Sequence, residues 1–244
     1  ADGVLGASTD PEDAPLLGQV LGEFRLDRLV AIGGMGRIYE ATQRSPDRKV
    51  AVKVISARYL IGNAIRRFRR EAELLGSLEH PGICRIYQAD TGAVGGDRIP
   101  FIAMEFVRGE PLDIAARGMT IPERIEVVAR VCDAVEHAHR LGVVHRDLKP
   151  ANILVESVQS GGVRIANPKI LDFGLARLLD EPDGVVCTMA GQLVGTFQYM
   201  SPEQFDGAAP SASSDVYSIG VMLYEVLVGR RPFDRSPNAA FASR

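Results

Sequence analysis

The chain has 244 residues, enough for one large domain or two small ones and for a substantial buried core. Apolar residues make up 46% of it and charged residues 24%, a composition that argues against wholesale disorder. The 28 Lys and Arg residues and the 31 Asp and Glu residues leave a formal net charge of −3, which offers no electrostatic footprint for nucleic acid.

Nothing in the sequence is typical of export or of a membrane span. The most apolar stretch is interrupted by Glu225, and the first 24 residues contain no Lys or Arg for a secretory signal. Cys84, Cys132 and Cys187 lie far apart without a CxxC pair, which disfavours a disulfide framework and a zinc site. We expect a cytoplasmic location, in a reducing compartment. Because the first residue is Ala, we also expect the chain to be a piece of something longer.

Residues 1–20 are rich in Asp, Gly, Ala and Pro without apolar periodicity, which is typical of a flexible leader. Beyond them, short apolar runs separated by Gly, Pro or charged turns predict antiparallel strands. These runs lie at residues 24–32, 36–41, 50–55, 83–89 and 100–107. Residues 64–78 interrupt the runs with apolar side chains at helical spacing, so this part predicts a small sheet with one helix.

After Gly109 the pattern becomes helical. Pro122 marks the start of a helix that ends at Gly142, and residues 215–228 predict a second, apolar helix. The spacing in the first of these helices predicts an inward stripe of Ile125, Val128, Ala129, Cys132, Val135 and Ala138. The second part of the chain is therefore expected to be mainly helical.

Two short strands are predicted between these helices, at residues 152–155 and 169–171. The residues between them, 156–168, have the character of an enlarged loop. Residues 173–203 show little periodicity, and a compact domain tolerates so long a segment mainly when it is functional.

Residues 31–38, Ala-Ile-Gly-Gly-Met-Gly-Arg-Ile, lie between two predicted strands. Glycines without side chains let backbone N–H groups approach phosphate oxygens closely. By themselves, three glycines this close together more often form a plain hairpin turn. The loop also does not open a helix, so it lacks the context of a dinucleotide-binding fingerprint.

Lys53 lies in a predicted strand with the sequence Val-Ala-Val-Lys-Val. Taken alone, it is better explained as an edge-strand lysine that discourages aggregation. Glu71 lies along the apolar stripe of the predicted helix, where a carboxylate needs a cationic partner because burying it unpaired is costly. The alternative for Glu71 is an exposed pair with Arg67, one turn earlier.

Residues 144–152, Val-His-Arg-Asp-Leu-Lys-Pro-Ala-Asn, place an acid, a base and an amide in one loop after a helix. Pro150 prevents this loop from continuing the helix. Asp172 ends an apolar strand and is followed by Phe-Gly. Asn152 and Asp172 carry oxygen ligands suited to Mg²⁺, and Asp147 could take a proton.

In this order, the motifs resemble those of the eukaryotic-like, Hanks-type protein kinase family. The set consists of the glycine loop, Val-Ala-Val-Lys, His-Arg-Asp-Leu-Lys-Pro-Ala-Asn, Asp-Phe-Gly and Gly-Thr-Phe-Gln-Tyr-Met-Ser-Pro-Glu. The resemblance runs from Phe24 to Phe233, and chance agreement at all five motifs is negligible. Gly-Gly-Met-Gly and Tyr-Met-Ser-Pro-Glu-Gln are similar to the bacterial Ser/Thr branch, and Lys149 also favours the Ser/Thr type over the tyrosine type.

The resemblance implies an α+β, bilobal protein-kinase-like fold. A small antiparallel-sheet N-lobe with one helix would span residues 21–107, and a mainly helical C-lobe residues 108–244. The family continues through several more helices beyond Phe233, so we expect a C-terminally truncated C-lobe that lacks its last helices. The missing part would supply the arginine that pairs with Glu203. Many bacterial relatives attach this domain to a membrane-anchored sensor.

The resemblance also implies roles in ATP- and Mg²⁺-dependent phosphoryl transfer. Asp147 would accept the proton of the substrate hydroxyl, and Lys149 would neutralise the transferring phosphoryl group. Asn152 and Asp172 would bind the magnesium ions. Catalysis in this family is positioning plus charge neutralisation, because phosphoryl transfer needs little covalent help from the protein.

Lys53 would hold the α- and β-phosphates of ATP and pair with Glu71, while the glycine loop would cover the phosphates. One departure is Ala31, which stands where the family has its first glycine. A methyl group there should tighten the turn only modestly, since Gly33 and Gly36 are retained.

Ile38, Ala51 and Leu154 would sandwich the adenine, and Met104 would guard the back of the pocket. The backbone of the first and third residues after Met104 would form hydrogen bonds with the adenine edge. The implied ATP site comprises Ala31, Ile32, Gly33, Gly34, Met35, Gly36, Ile38, Ala51, Lys53, Met104, Glu105, Val107 and Leu154.

The resemblance further implies a regulatory switch at Arg146, which in similar kinases receives a phosphate from the activation loop. Thr188 is the candidate phosphate carrier, because it stands in a stretch without Ser or Tyr. Thr196 is a poorer candidate, since it matches the family threonine that contacts Asp147 and Lys149. The alternative is that Thr188 is simply a polar loop residue.

Two rival functions are a pseudokinase scaffold and a small-molecule phosphotransferase of kinase-like fold, such as an aminoglycoside kinase. The retained catalytic residues argue against the first. Gly195-Thr196, followed by Ser201-Pro202-Glu203, argues against the second because this segment shapes a protein-substrate groove. The expected partners are ATP and proteins with Ser or Thr, in signal transduction, with self-association for autophosphorylation. No nucleic acid and no membrane contact are expected from these residues.

Overall fold

The computed structural model describes residues 16–33, 36–56, 75–160, 163–173 and 196–233. The chain divides into two compact units. The first contains the residues up to 79 together with 85–107, and the second contains 80–84 together with the residues from 108 onward. Within the described ranges, no helix is both long enough and apolar enough to cross a membrane.

The first unit is built on a six-stranded antiparallel sheet with the order β1-β2-β3-β4-β6-β5. Its strands are β1 (Val20–Leu21), β2 (Phe24–Gly33), β3 (Gly36–Gln43), β4 (Arg48–Ile55), β5 (Ile86–Val94) and β6 (Asp97–Glu105). The last two strands are longer than the sequence predicts, because they form one hairpin around Gly95 and Gly96, which both have positive φ.

One face of this sheet forms the hydrophobic core of the first unit. Alternate residues of the central strands point into it, as the period of two in a strand requires. The buried core consists of Leu21, Phe24, Leu26, Leu29, Tyr39, Ala41, Val50, Val52, Val54, Phe101 and Ala103. The rings of Phe24 and Phe101 meet edge to face, with centroids 5.7 Å apart.

Two predicted segments of the first unit lie partly outside the described residues. In the region predicted as a flexible leader, the described chain begins at Leu16, which packs against the core, and the Gly18 N–H donates to the Leu26 carbonyl. The helix predicted at 64–78 is described only from Leu75 onward, where Leu75 and Leu78 are buried.

The second unit combines helices with a three-stranded antiparallel sheet of order β7-β8-β9. Its strands are β7 (Glu110–Pro111), β8 (Ile153–Ser160) and β9 (Val163–Ile170). Its described helices are α1 (Leu112–Ala115), α2 (Ile121–Arg140), α3 (Pro202–Phe205) and α4 (Ala212–Val228). The enlarged loop predicted at 156–168 was therefore wrong, because β8 and β9 extend through most of it as one long hairpin.

Helix α2 begins as the sequence predicts, with Pro122 in its first turn and a capping box between Thr120 and Glu123. Its buried stripe consists of Val127, Val128, Val131, Ala134, Val135 and Ala138, so the prediction is confirmed at Val128, Val135 and Ala138. Ile125, Ala129 and Cys132 are exposed instead. Arg124 contributes to this shift, because its guanidinium turns inward and donates to the Val226 carbonyl of α4 at 2.9 Å.

Candidate active site

The sheet face that points away from the first unit's core carries four of the residues predicted for the ATP site. Ile38 in β3 lies opposite Lys53 in β4, and Ala51 in β4 lies opposite Met104 in β6. Cross-strand partners share a face of the sheet, and so do residues two apart in one strand. The register therefore gathers Ile38, Ala51, Lys53 and Met104 on one face.

The glycine loop is the closed end of the β2–β3 hairpin, where Gly33 and Gly36 form the last pair. A Cβ on Gly36 would overlap a backbone carbonyl of the neighbouring strand β4, so this position requires glycine. Ala31 pairs with Ile38 inside the ladder, which a residue with a methyl side chain can do. The remaining loop residues are the exposed Ile32 and two that lie outside the described residues, Gly34 and Met35.

Lys53 lies on a central strand and is almost fully buried. Strand β4 pairs with β3 on one side and β6 on the other, and only 6% of Lys53 is exposed. This position excludes the alternative of an edge-strand lysine, because β4 is not an edge. Glu71 lies outside the described residues, so its pairing with Lys53 stays a prediction.

The predicted adenine-contacting backbone follows the buried Met104 at the end of β6. The Glu105 N–H donates to the Arg85 carbonyl at 2.9 Å, so a contact with the adenine edge would use the Glu105 carbonyl. Val107 follows two residues after the end of the strand. In the second unit, Leu154 is half-buried in β8 and alternates with the buried Ile153 and Val155.

Asp147 is the centre of a small polar cluster in the loop between α2 and β8. Its Oδ2 accepts a hydrogen bond from Lys149 Nζ at 2.8 Å and another from Asn152 Nδ2 at 3.3 Å. Asn152 Nδ2 also donates to the Asp147 backbone carbonyl at 2.7 Å. The six residues from Asp147 to Asn152 therefore bring an acid, a cation and an amide together, as the motif predicts.

His145 fixes the backbone of this loop from inside the second unit. Its Nδ1 accepts the Asp147 N–H at 3.3 Å, and its Nε2 lies 2.9 Å from the Leu171 carbonyl. Since a carbonyl can only accept, Nε2 carries the proton and the ring is neutral. Burial holds the pKa of His145 below its usual range, although the carboxylates of Asp215, Asp147 and Asp172 act in the opposite direction.

Asp215 belongs to the same network, although no sequence motif identified it. Only 1% of it is exposed, and its carboxylate accepts the N–H of His145 at 2.8 Å and of Arg146 at 2.9 Å. His139 Nε2 donates to it from α2 at 2.8 Å. Arg146 has a φ of +74°, a left-handed conformation that is unfavourable for a residue with a side chain, so these bonds hold a strained backbone.

A backbone hydrogen bond joins the two segments that carry the residues predicted to bind magnesium, Asn152 and Asp172. The Leu171 N–H donates to the Asn152 carbonyl at 2.8 Å, so Asn152 faces Leu171 across the start of the β8–β9 hairpin, and Asp172 is the next residue after Leu171. Because the Asn152 side-chain nitrogen is engaged by Asp147, its oxygen remains for a cation. One carboxylate and one amide oxygen fit Mg²⁺, which binds few protein ligands and keeps phosphate oxygens and waters in its other positions.

The described end of the predicted activation segment is attached to α4. The Tyr199 hydroxyl donates to Glu225 Oε2 at 2.5 Å, and the Ser218 hydroxyl donates to the Tyr199 carbonyl at 2.7 Å. Glu203 Oε1 accepts the Ser214 hydroxyl at 2.9 Å. The Glu203 backbone N–H, together with Ser214 and a further serine hydroxyl, lowers the pKa of the Glu203 carboxyl.

The structure leaves part of the predicted regulatory site undescribed. Thr188 lies outside the described residues, and Thr196 begins a single 3₁₀ turn that ends at Gln198. Arg146 is described, with its backbone held by Asp215. The switch between Arg146 and Thr188 therefore stays a prediction.

The chain is similar to known proteins over most of its length. Residues 24–243 match the family described as the protein kinase domain. The Ser/Thr-protein kinase PknA of Mycobacterium tuberculosis is 38% identical over 226 residues, which cover 90% of this chain and 50% of that protein. The Ser/Thr-protein kinase PrkC of Bacillus subtilis is 38% identical over 220 residues, which cover 88% of this chain and 32% of that protein.

The fold has solved counterparts as well. The crystal structure of the Mycobacterium tuberculosis PknI kinase domain matches with a TM-score of 0.65 at 25% identity, covering 91% of this chain and 80% of that one. This likeness confirms the predicted bilobal α+β fold. The chain spans about half the length of PknA and about a third of PrkC. The match over nine-tenths of the sequence establishes that the chain belongs to the protein kinase domain family.

Proposed function

We propose that this chain transfers the γ-phosphoryl group of ATP, with Mg²⁺, to Ser and Thr hydroxyls of protein substrates in signalling. The observation that carries the proposal is the cluster around Asp147, in which one carboxylate is held by Lys149 and Asn152. Membership in the protein kinase domain family supports the reaction class. The names of similar bacterial proteins support Ser and Thr as acceptors.

Asp147 is the group placed to accept the proton of the attacking hydroxyl. Lys149 and Asn152 both bind its Oδ2, so the carboxylate is fixed in orientation and Oδ1 is the oxygen that would take the proton. The Lys149 ammonium, two residues away, would stabilise the negative charge that develops on the transferring group. Neither residue needs to form a covalent bond with the phosphoryl group.

Asn152 and Asp172 would hold the metal through their side-chain oxygens. When bound, Mg²⁺ supplies neutralisation of the phosphate charge. The chain's own contribution is orientation: the bond from Leu171 to Asn152 keeps the two ligand-bearing segments together. Asp172 has a φ of +56°, a left-handed conformation that Asp tolerates better than most residues. The next residue, Phe173, packs against His145, with the two ring centroids 4.8 Å apart.

In the first unit, Lys53 would bind the α- and β-phosphates. The apolar Ile38, Ala51 and Met104 lie on the same sheet face and would contact the adenine. A lysine on an otherwise apolar face keeps its ammonium there only with an anionic partner, and both Glu71 and the phosphates can provide one.

The proposal includes a cytoplasmic setting and autophosphorylation between copies of the chain. ATP is the phosphoryl donor in this setting. The described cysteines, Cys84 and Cys132, are not joined in a disulfide, which suits a reducing compartment. Autophosphorylation would use the same catalytic cluster and a Ser or Thr hydroxyl of a second copy.

The experiment is a transfer assay with labelled ATP and Mg²⁺ on the full-length protein, using a generic Ser/Thr protein substrate and an aminoglycoside in parallel. We expect label on Ser or Thr of the protein substrate and none on the small molecule. Label on the aminoglycoside alone would favour a small-molecule phosphotransferase. Tight ATP binding without any transfer would favour the pseudokinase scaffold.

A further inference from the structure

We propose that Gln204 is a positioning residue for phosphoryl transfer, holding the peptide group between Arg146 and the catalytic Asp147. The inference rests on the proposed function, because Asp147 is the proton acceptor there. Gln204 lies in the short helix α3, 58 residues after Arg146 in the chain. Its side-chain amide donates to the Arg146 backbone carbonyl at 3.3 Å.

Both ends of the Gln204 amide are used, and each has a different task. Its Oε1 accepts the N–H and the hydroxyl of Ser201, both at 3.0 Å, which completes the capping box at the start of α3. Its Nε2 makes the bond to Arg146. The capping box therefore anchors the side chain at a helix end and aims its nitrogen at the catalytic loop.

The peptide group that Gln204 holds is also held at its other side. The Arg146 carbonyl and the Asp147 N–H belong to one planar unit. Gln204 binds the carbonyl, and His145 Nδ1 accepts the N–H at 3.3 Å. The preceding peptide is fixed by Asp215, which accepts the Arg146 N–H at 2.9 Å.

These three bonds act on a residue whose backbone would otherwise relax. Arg146 has a φ of +74°, and a side chain makes this left-handed conformation costly. If the carbonyl were released, the peptide plane could rotate toward a more favourable conformation. The position of the Asp147 carboxylate would change with it, and misplacement by about 1 Å is enough to slow a positioned reaction.

The capping box alone does not explain why residue 204 is Gln. A capping box works with Glu as well as with Gln, because only an acceptor oxygen is needed at this position. The bond to Arg146 needs a donor, which Glu at pH 7 lacks. Gln204→Glu therefore separates the two tasks: it keeps the helix cap and removes the bond to the catalytic loop.

The test compares Gln204→Glu with wild type and with Ala209→Glu in the full-length protein. Ala209 is exposed, so Ala209→Glu adds the same charge nearby without touching the network. We expect Gln204→Glu to lower kcat about tenfold, with KM for ATP and Tm close to wild type. Ala209→Glu should keep all three values. Hydrogen exchange at the Asp147 amide should be about tenfold faster in Gln204→Glu than in either reference.

A second variant gives the result that a purely structural role would produce. Ser201→Ala weakens the α3 cap but leaves the Gln204 nitrogen in place, so it reports the fall in Tm that accompanies cap loss. The proposal is overturned if Gln204→Glu keeps wild-type kcat and wild-type exchange at Asp147. It is also overturned if kcat falls only together with a fall in Tm like that of Ser201→Ala. If the wild-type protein transfers no phosphate, the proposed function fails, and the exchange rates alone decide whether Gln204 holds this peptide.

Discussion

Asp215, in the first turn of α4, accepts the backbone N–H of Arg146 at 2.9 Å, across 69 residues of sequence. The same carboxylate accepts the N–H of His145 and a bond from His139. A carboxylate accepts charge-assisted hydrogen bonds, and because Asp215 is almost fully buried, the loss of these bonds would leave buried donors unpaired. Helix α4 thus holds the backbone of the catalytic loop in place through the Asp215 carboxylate.

The first prediction concerns the Asp215 carboxylate. Asp215→Asn keeps the size of the side chain but replaces one acceptor oxygen with an NH₂ group that faces a backbone N–H. We expect the free energy of unfolding to fall by about 2–4 kcal/mol, and the transfer rate to fall at least 100-fold. Urea unfolding and the transfer assay measure the two effects. Wild-type stability of Asp215→Asn would show that the buried carboxylate is not needed to hold the catalytic loop.

The second prediction concerns Lys53. Lys53→Met keeps the apolar stem and removes the charge, so we expect loss of phosphoryl transfer with an unchanged far-UV circular dichroism spectrum. Lys49→Met is the matched control on the same strand, where the lysine is 44% exposed and pairs with Asp27 at the surface. An exposed pair contributes less than about 1 kcal/mol, so this control should keep activity. Full activity of Lys53→Met would remove Lys53 from the site.

The third prediction is a fall in stability on mild acidification. Burial lowers the pKa of His145 in the folded state, so the unfolded chain binds more protons just below the unfolded histidine pKa of about 6.5. Each buried neutral histidine then lowers the free energy of unfolding as the pH falls through this range, by at most about 1.4 kcal/mol per pH unit. His80, whose pKa is also lowered by burial, acts in the same direction.

Urea unfolding at pH 7.5 and pH 5.5 measures this effect. The acidic groups with lowered pKa, Asp27 and Glu203, lose their contribution only at lower pH and do not oppose it in this window. His80→Gln should reduce the difference between the two pH values without removing it. Equal or greater stability at pH 5.5 would contradict the neutral, buried state of His145.

The fourth prediction concerns the bond between Tyr199 and Glu225. Burial and the neighbouring carboxylate raise the pKa of Tyr199, so its hydroxyl remains a donor throughout the usual assay range. Tyr199→Phe should lower the free energy of unfolding by about 1–2 kcal/mol, because Glu225 loses a donor. Tyr217→Phe, which removes a tyrosine hydroxyl from α4, is the reference and should lower the free energy of unfolding by less. Equal costs for the two variants would show that the bond contributes nothing specific.

Much of the site could be predicted because its residues are close together in sequence. Asp147, Lys149 and Asn152 fall within six positions, so the motif alone implies that they meet. Lys53 was predictable as a strand residue, while its central position in the sheet depends on pairing with β6, which begins more than forty residues later. The sequence leaves that pairing open.

The partners that hold the catalytic loop could not be predicted in the same way. Asp215 and Gln204 reach Arg146 from elements 69 and 58 residues away, and an apolar helix pattern does not show which loop the helix will support. The predicted stripe of α2 was wrong at Ile125, Ala129 and Cys132 for a related reason, although Val128, Val135 and Ala138 are buried as predicted. Periodicity predicts that a helix has a buried face, but it does not show which contacts other elements will offer. Arg124 turns inward because its guanidinium donates to the Val226 carbonyl of α4.

The most direct test of the central claim is the single-turnover rate of phosphate transfer to a protein Ser or Thr, measured for wild type, Asp147→Asn and Asp97→Asn in the full-length protein. Asp97 is exposed on a hairpin of the first unit, so Asp97→Asn makes the same chemical change at the surface and is the matched control. We predict that Asp147→Asn transfers at least about 1,000-fold more slowly at unchanged ATP affinity, while Asp97→Asn equals wild type. Transfer by Asp147→Asn at the wild-type rate would contradict the assignment of Asp147 as the proton acceptor.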